Sequence, residues 1–91
     1  ALGWCYKRAG SLADAIASLE SALRFTPDDA LLSYNLACYY SLAGRRLDAL
    51  RRLKRSFDLD PQFRQLVANE SDFDPMRADP AFRMLMAAFA R

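Results

Sequence analysis

The sequence predicts an all-α fold in which helical hairpins stack side by side as a solenoid. Identical residues recur 34 positions apart, and this set comprises the pairs Leu2/Leu36, Tyr6/Tyr40, Gly10/Gly44, Asp14/Asp48, Ala15/Ala49 and Pro27/Pro61. Apolar character recurs at the same separation in the pairs Ile16/Leu50, Leu19/Leu53, Leu23/Phe57 and Phe25/Leu59. A period of about 34 residues is that of a helix–turn–helix unit which buries its apolar face on its neighbours.

Two helices are predicted before Pro27. The first covers residues 1–9 and ends at Gly10, because glycine adopts the positive φ common at helix C-termini. The second begins with Ser11 as its cap, since a serine side chain accepts a hydrogen bond from the first turn. It ends before Thr26, because a proline disfavours the helical conformation in the preceding residue.

A second pair of helices follows in the same order. Asp28 or Asp29 is expected to cap a helix that extends through Leu42 and ends at Gly44. The next helix covers about residues 46–59 and ends at the next proline. The apolar side chains at helical spacing in these segments are Ile16, Leu19, Leu23, Leu32, Leu36, Tyr39, Tyr40, Leu47, Leu50, Leu53 and Phe57.

The repeat fades after residue 61, and shorter helices are predicted there. Residues 62–69 read as a short helix, and a last helix begins at Pro80. The pairs Asp74-Pro75 and Asp79-Pro80 each place a capping residue before a proline suited to the first helical position. We expect apolar side chains of this segment to cover the face that the second hairpin leaves open, as a cap must. These side chains are Phe73, Phe82 and Leu85.

The two units also share a motif. The first reads Leu2-Gly3-x2-Tyr6, then Ala15-x3-Leu19 and Pro27; the second reads Ser33-x2-Leu36-Ala37-x2-Tyr40, then Ala49-x3-Leu53 and Pro61. This pattern resembles the tetratricopeptide repeat (TPR) family. The resemblance implies a right-handed superhelix with one repeat over residues 1–27, its first helix truncated, a second repeat over 28–61 and capping helices over 62–91. It also implies the C-terminal part of a longer array.

Composition excludes little about partners. The net charge is +2 and 26% of the residues are charged, so no overall field favours nucleic acid or a membrane. Cys5 and Cys38 lack the spacing of a paired or metal-binding motif, which suits reduced thiols in a cytoplasmic protein. The abundance of arginine and alanine favours a bacterial source.

The residue types argue against catalysis. The chain has no histidine, which removes the commonest general base and the mixed Cys/His zinc sites. Asp72, Asp74 and Asp79 cluster, but Asp74 and Asp79 precede prolines as helix caps, so we favour capping over acid–base or metal-binding roles for this cluster. Cys38 has no partner base in the sequence, so we interpret it as a packed or groove-lining thiol. We therefore expect no enzyme activity, no cofactor and no metal.

The TPR resemblance implies where a partner binds. In such arrays the first helices of successive repeats line a concave groove. The matching positions here are Trp4, Lys7, Arg8, Leu31, Tyr34, Asn35, Cys38, Ser41 and Leu42. We expect this groove to hold an extended or helical peptide with apolar anchors and some acidic residues. Contact of Trp4 with a preceding helix is an equal alternative.

Three other roles stay open from the sequence. The chain could be the purely structural end of a larger regulatory protein or enzyme. An exposed first helix could also support self-association. A basic stretch could meet nucleic acid, although i, i+4 pairing with Asp48 and Asp58 favours a solvated face. The residues of that stretch are Arg45, Arg46, Arg51, Arg52, Lys54 and Arg55.

Overall fold

A computed structural model describes residues 11–89 of the chain, and every regular element in this range is helical. The elements are α1 (Ser11–Phe25), α2 (Ala30–Leu42), α3 (Arg46–Leu59), α4 (Phe63–Ala68), a 3₁₀ helix (Ser71–Met76) and α5 (Pro80–Ala88). The all-α prediction is confirmed for these residues, while the helix predicted over residues 1–9 lies outside the described range. None of the helices within 11–89 is long and apolar enough to cross a membrane.

The ends of the first helices follow the predicted signals. The helix α1 ends at Phe25, directly before Thr26-Pro27. Asp29 caps α2, because its Oδ1 accepts a hydrogen bond from the Leu32 N–H at 3.1 Å. The helix α3 ends at Leu59, so the ends of α1 and α3 lie one repeat period apart.

Gly44 closes α2 as predicted. Its φ of +79° belongs to the left-handed region, which glycine adopts without a steric penalty. The Gly44 N–H donates to the Ser41 carbonyl at 3.1 Å, and the Arg45 N–H donates to the Tyr40 carbonyl at 2.8 Å. These two bonds form a Schellman motif, which satisfies carbonyls at the helix end and turns the chain towards α3.

The helix α2 is the centre of the core. Its buried side chains cover most of the helix surface, because α1, α3 and the 3₁₀ helix all pack against it, and the side that carries Leu31, Asn35 and Leu42 stays more accessible. Its buried residues are Ser33, Tyr34, Leu36, Ala37, Cys38, Tyr39, Tyr40 and Ser41. The partners contribute Ala15, Ile16, Leu23, Ala49, Leu53, Phe57, Val67, Phe73, Met76 and Phe82 to the same core.

One predicted helix start is wrong. Asp79 does cap α5, since its Oδ1 accepts from the Ala81 N–H at 2.9 Å with Pro80 in the first turn. Pro75, by contrast, lies inside the 3₁₀ helix and begins no helix of its own. A proline has no N–H to donate to the carbonyl three residues before it, here that of Asp72. That carbonyl accepts from Ser41 Oγ at 2.7 Å instead.

The C-terminal segment covers α2, as predicted for a cap. Phe73 and Phe82 are buried with their rings 6.3 Å apart, and Leu85 is partly buried beside them. Arg77 fixes the segment, because its guanidinium donates to the carbonyls of Val67 at 2.9 Å and Glu70 at 2.7 Å. Aromatic burial and guanidinium–carbonyl hydrogen bonds therefore hold this cap in place.

Replacing Phe82 by Ala should lower the free energy of unfolding by about 3 kcal/mol, since truncating a buried phenylalanine leaves a cavity. Urea denaturation followed by circular dichroism measures this change. The matched control is Met84→Ala on the same helix, where the side chain is 72% exposed and the expected change is below about 0.5 kcal/mol. Equal effects of the two substitutions would contradict the burial of Phe82.

Candidate functional site

The predicted groove residues of α2 divide into a covered group and an accessible group. Tyr34, Cys38 and Ser41 are buried, and their i, i+4, i+7 spacing places them on one stripe of the helix. Leu31 is 51% exposed, while Asn35 and Leu42 are partly buried. The remaining predicted residues, Trp4, Lys7 and Arg8, lie outside the described range.

The C-terminal segment covers the buried stripe. The Tyr34 ring packs against Phe63 at a centroid distance of 5.3 Å and against Phe73 at 5.9 Å. Ser41 donates its hydroxyl to the Asp72 carbonyl. In residues 11–89, the stripe that the sequence assigned to a groove wall therefore forms the interface between α2 and the cap.

The thiol of Cys38 lies deep in this interface. Burial raises its pKa well above the ordinary value, and the nearby charges of Asp72 and Glu70 raise it further. Burial likewise raises the pKa of the neighbouring Tyr34 hydroxyl. The thiol is thus protonated at neutral pH, and a protonated thiol is a poor nucleophile and a poor metal ligand.

Cys38, Glu70 and Asp72 also form the one group of possible metal ligands found among the described residues. Their ligand atoms lie within 4.8 Å of one another, and a thiolate with two carboxylates is a combination that zinc accepts. These three side chains form a polar cluster between α2 and the C-terminal segment.

An accessible surface lies beside the covered stripe. A shallow pocket of about 230 Å³ is formed where α3 leads into α4, and its lining residues are Asp60, Gln62, Phe63, Gln65 and Leu66. Phe63 joins this pocket to α2 through its contact with Tyr34, and Leu31 lies one helical turn before Tyr34. We call Leu31, Asn35, Phe63, Gln65 and Leu66 together the α2–α4 surface.

The α4 side of this surface was missed as a site by the sequence reasoning. The pattern grouped Phe63, Leu66 and Val67 on one packed face. In the structure Val67 is buried, Phe63 is half-buried and Leu66 is 51% exposed. A helix of only six residues is too short for its apolar spacing to reveal which side chains stay accessible.

The basic side chains of α3 are largely paired. Lys54 lies 2.9 Å from Asp58, as predicted. Asp48 pairs with Arg45 at 2.9 Å and Arg51 at 3.7 Å, where the sequence predicted pairing with Arg52. Arg55 pairs with Asp28, and Arg46 lies 3.4 Å from Asp79. The last two pairs join α3 to other parts of the fold, namely the segment before α2 and the start of α5.

Tyr40 lies on the side of α2 that faces α1, away from the α2–α4 surface. Its hydroxyl donates to Glu20 Oε2, and the Arg45 guanidinium stacks 4.5 Å from its ring centroid. Burial raises the pKa of the Tyr40 hydroxyl to about 12, and the hydrogen bond to Glu20 and its charge add to the shift. A pocket of about 320 Å³ lies here, lined by Glu20, Leu23, Arg24, Pro27, Leu36, Tyr40 and Arg52.

Comparison with known protein families, curated proteins and solved structures found no match for this chain.

Replacing Tyr40 by Phe should make the chain less sensitive to alkaline pH. The hydroxyl ionises near pH 10 in the unfolded chain and near pH 12 in the folded chain. Its stabilising contribution is therefore complete below about pH 10 and is lost as the pH rises towards 12. Urea midpoints at several pH values across this window should show the advantage of the unchanged chain over Tyr40→Phe shrinking. A constant difference would contradict the raised pKa.

Cys38 should resist chemical modification while the chain is folded. In a Cys5→Ser variant, which leaves Cys38 as the reporting thiol, a colourimetric disulfide reagent should react at least about 100-fold more slowly than with the same chain in urea. The reason is that reaction requires both opening of the cap and loss of the thiol proton. Comparable rates in the two conditions would place the thiol on the surface.

Proposed function

We propose that this chain is a noncatalytic protein–protein interaction module, which holds a peptide or a partner segment on the α2–α4 surface. The observation that carries this proposal is the pair of half-exposed leucines, Leu31 and Leu66, beside the Tyr34–Phe63 ring contact. Large apolar side chains left exposed next to a rigid aromatic pair are typical anchors for a partner.

The polar side chains of the surface suit a peptide. Asn35, Gln62 and Gln65 carry amides, which both donate and accept hydrogen bonds and can pair with a peptide backbone. The pocket of about 230 Å³ is smaller than the roughly 300–1,000 Å³ of most small-molecule sites. These features favour a segment with one or two apolar anchors over a small-molecule substrate.

A TPR-like hairpin arrangement is part of the proposal. Its support is that α1 and α3 end one repeat period apart, and that α2 packs against both of them. A binding role in place of a catalytic one is supported by Cys38, whose buried thiol retains its proton. A buried reduced thiol also suits a cytoplasmic protein, and the same proposal places the chain there.

A purely structural role at the end of a larger protein is the second candidate. It is favoured by the complete burial of Phe73, Val67 and Met76, through which the C-terminal segment closes the core. In that case the α2–α4 surface would have no partner. Nucleic-acid binding through α3 ranks third, because its one aromatic side chain, Phe57, is buried and cannot stack on a base beside the basic residues.

Charged substitutions on the α2–α4 surface should remove partners from the full-length protein. Because a buried carboxylate without a partner is costly, Leu31→Asp together with Leu66→Asp should weaken binding at least about tenfold. Quantitative affinity capture identifies the proteins lost, and titration calorimetry with the purified partner measures the change in affinity.

The matched control is Phe25→Asp, which places the same charge at another exposed apolar side chain that belongs to neither this surface nor α3. Circular dichroism of each variant should show unchanged helix content, since all three side chains are half or more exposed. If the double substitution and the control retain the same partners, the α2–α4 surface is not the binding site, and the structural role gains support.

A further inference from the structure

A second accessible apolar groove lies between α3 and α5. These two helices run side by side in the same direction, because contacts join both their starts and their ends. Arg46 Nη1 lies 3.4 Å from Asp79 Oδ2 where the helices begin. The rings of Phe57 and Phe89 lie 5.3 Å apart where they end.

The groove has an apolar floor and a basic rim. Its volume is about 260 Å³, and its lining residues are Leu47, Leu50, Arg51, Lys54, Ala81 and Leu85. We call these six residues the outer groove. Leu47 is 72% exposed and Met84, one turn after Ala81 on α5, is equally exposed. The informative feature is the grouping of Leu47, Leu50, Ala81 and Leu85 around one groove, since singly exposed apolar side chains are ordinary on a protein surface.

We propose that the outer groove binds an acidic amphipathic helix of a partner protein. The charge of α3 argues for the acidic partner, since this helix carries five basic and only two acidic side chains. Of the two rim cations, Lys54 pairs with Asp58, whereas Arg51 shares Asp48 with Arg45, so one carboxylate serves two guanidiniums. The rim therefore keeps a positive surplus at Arg51, whose side chain is 75% exposed, and a partner carboxylate can neutralise it.

The dimensions argue for a helix. The lining of the groove runs from Leu47 to Lys54 on α3, which at about 1.5 Å per residue is about 10 Å, or about two helical turns. A helix that lies along two parallel helices presents apolar side chains at i, i+3 or i+4, and i+7. Leu47, Leu50 and Leu85 are the large apolar side chains that such a helix would contact.

Two other occupants fit less well. A second copy of this chain would bring a net charge of +2 and its own basic α3 towards the same rim. Nucleic acid would satisfy the rim through phosphates but would leave the floor of Leu47, Leu50 and Leu85 without an apolar partner. Both are outcomes that the experiment distinguishes.

The test is selection of displayed helical peptides on the intact chain. A library of peptides of about four helical turns, varied in apolar and charged positions, serves as the probe. Selected peptides are synthesised, and their affinity is measured by fluorescence anisotropy. We expect enrichment of sequences with apolar residues at i, i+3 or i+4, and i+7 and with a net negative charge. Their affinity should fall as the salt concentration rises.

Matched variants then assign the site. Leu47→Glu and Lys54→Glu should each weaken the selected peptides at least about tenfold, whereas Leu66→Glu on the α2–α4 surface should leave their affinity unchanged. Leu47→Glu should keep the fold, because its side chain is exposed and a carboxylate is favourable near a helix N-terminus. This control also separates the present proposal from the α2–α4 surface, since either surface can fail alone.

Four results would overturn the proposal. These are the absence of enriched acidic helices, an equal loss of affinity in Leu66→Glu, tighter binding of a DNA oligonucleotide than of the peptides, and a dimer in sedimentation analysis that Leu47→Glu dissociates. The last two would identify nucleic acid or a second copy as the occupant.

Discussion

The enclosure of α2 by three partner elements is the constraint on which the rest of the structure depends. An isolated helix of this length is only marginally stable in water, so α2 is stabilised mainly by its packing against α1, α3 and the 3₁₀ helix. The chain turns at both ends of α2, where Asp29 caps the helix and the left-handed Gly44 closes it. The surfaces available to a partner are those that the enclosing elements leave exposed around this helix.

The C-terminal segment is more than an end of the chain, because it contributes polar as well as apolar contacts to α2. Phe73 supplies the apolar contact, while the hydrogen bond from Ser41 to the Asp72 carbonyl fixes the register of the segment. Because Pro75 has no N–H, it does not compete with Ser41 for that carbonyl. A proline that the sequence predicted as a helix start thus lies inside the 3₁₀ helix, beside a tertiary contact.

The packing of the C-terminal segment also determines which side chains of the predicted groove wall are accessible to a partner. It covers Tyr34 and Cys38 of the predicted groove wall and leaves leucines and amides beside them. The exposed chemistry is therefore apolar and hydrogen-bonding on the α2–α4 surface, and apolar with a basic rim in the outer groove. Both combinations suit macromolecular recognition, and their difference in charge gives them different partner preferences.

The sequence by itself determined the α-helices over residues 11–89 and most of their ends, because caps, prolines, Gly44 and apolar spacing act locally, but it did not predict the 3₁₀ helix that contains Pro75. This local information predicted two helix caps, Asp29 and Asp79, and the end of α1 before Thr26. Only the tertiary structure decided which faces stay accessible. Leu31, Cys38 and Ser41 lie on one stripe of α2. The C-terminal segment, some 30 residues later in the chain, buries Cys38 and Ser41 but leaves Leu31 exposed, and local spacing cannot show this. The exposure of Leu47 and Leu66 likewise depends on where α5 and α4 pack, which is a long-range property of the core.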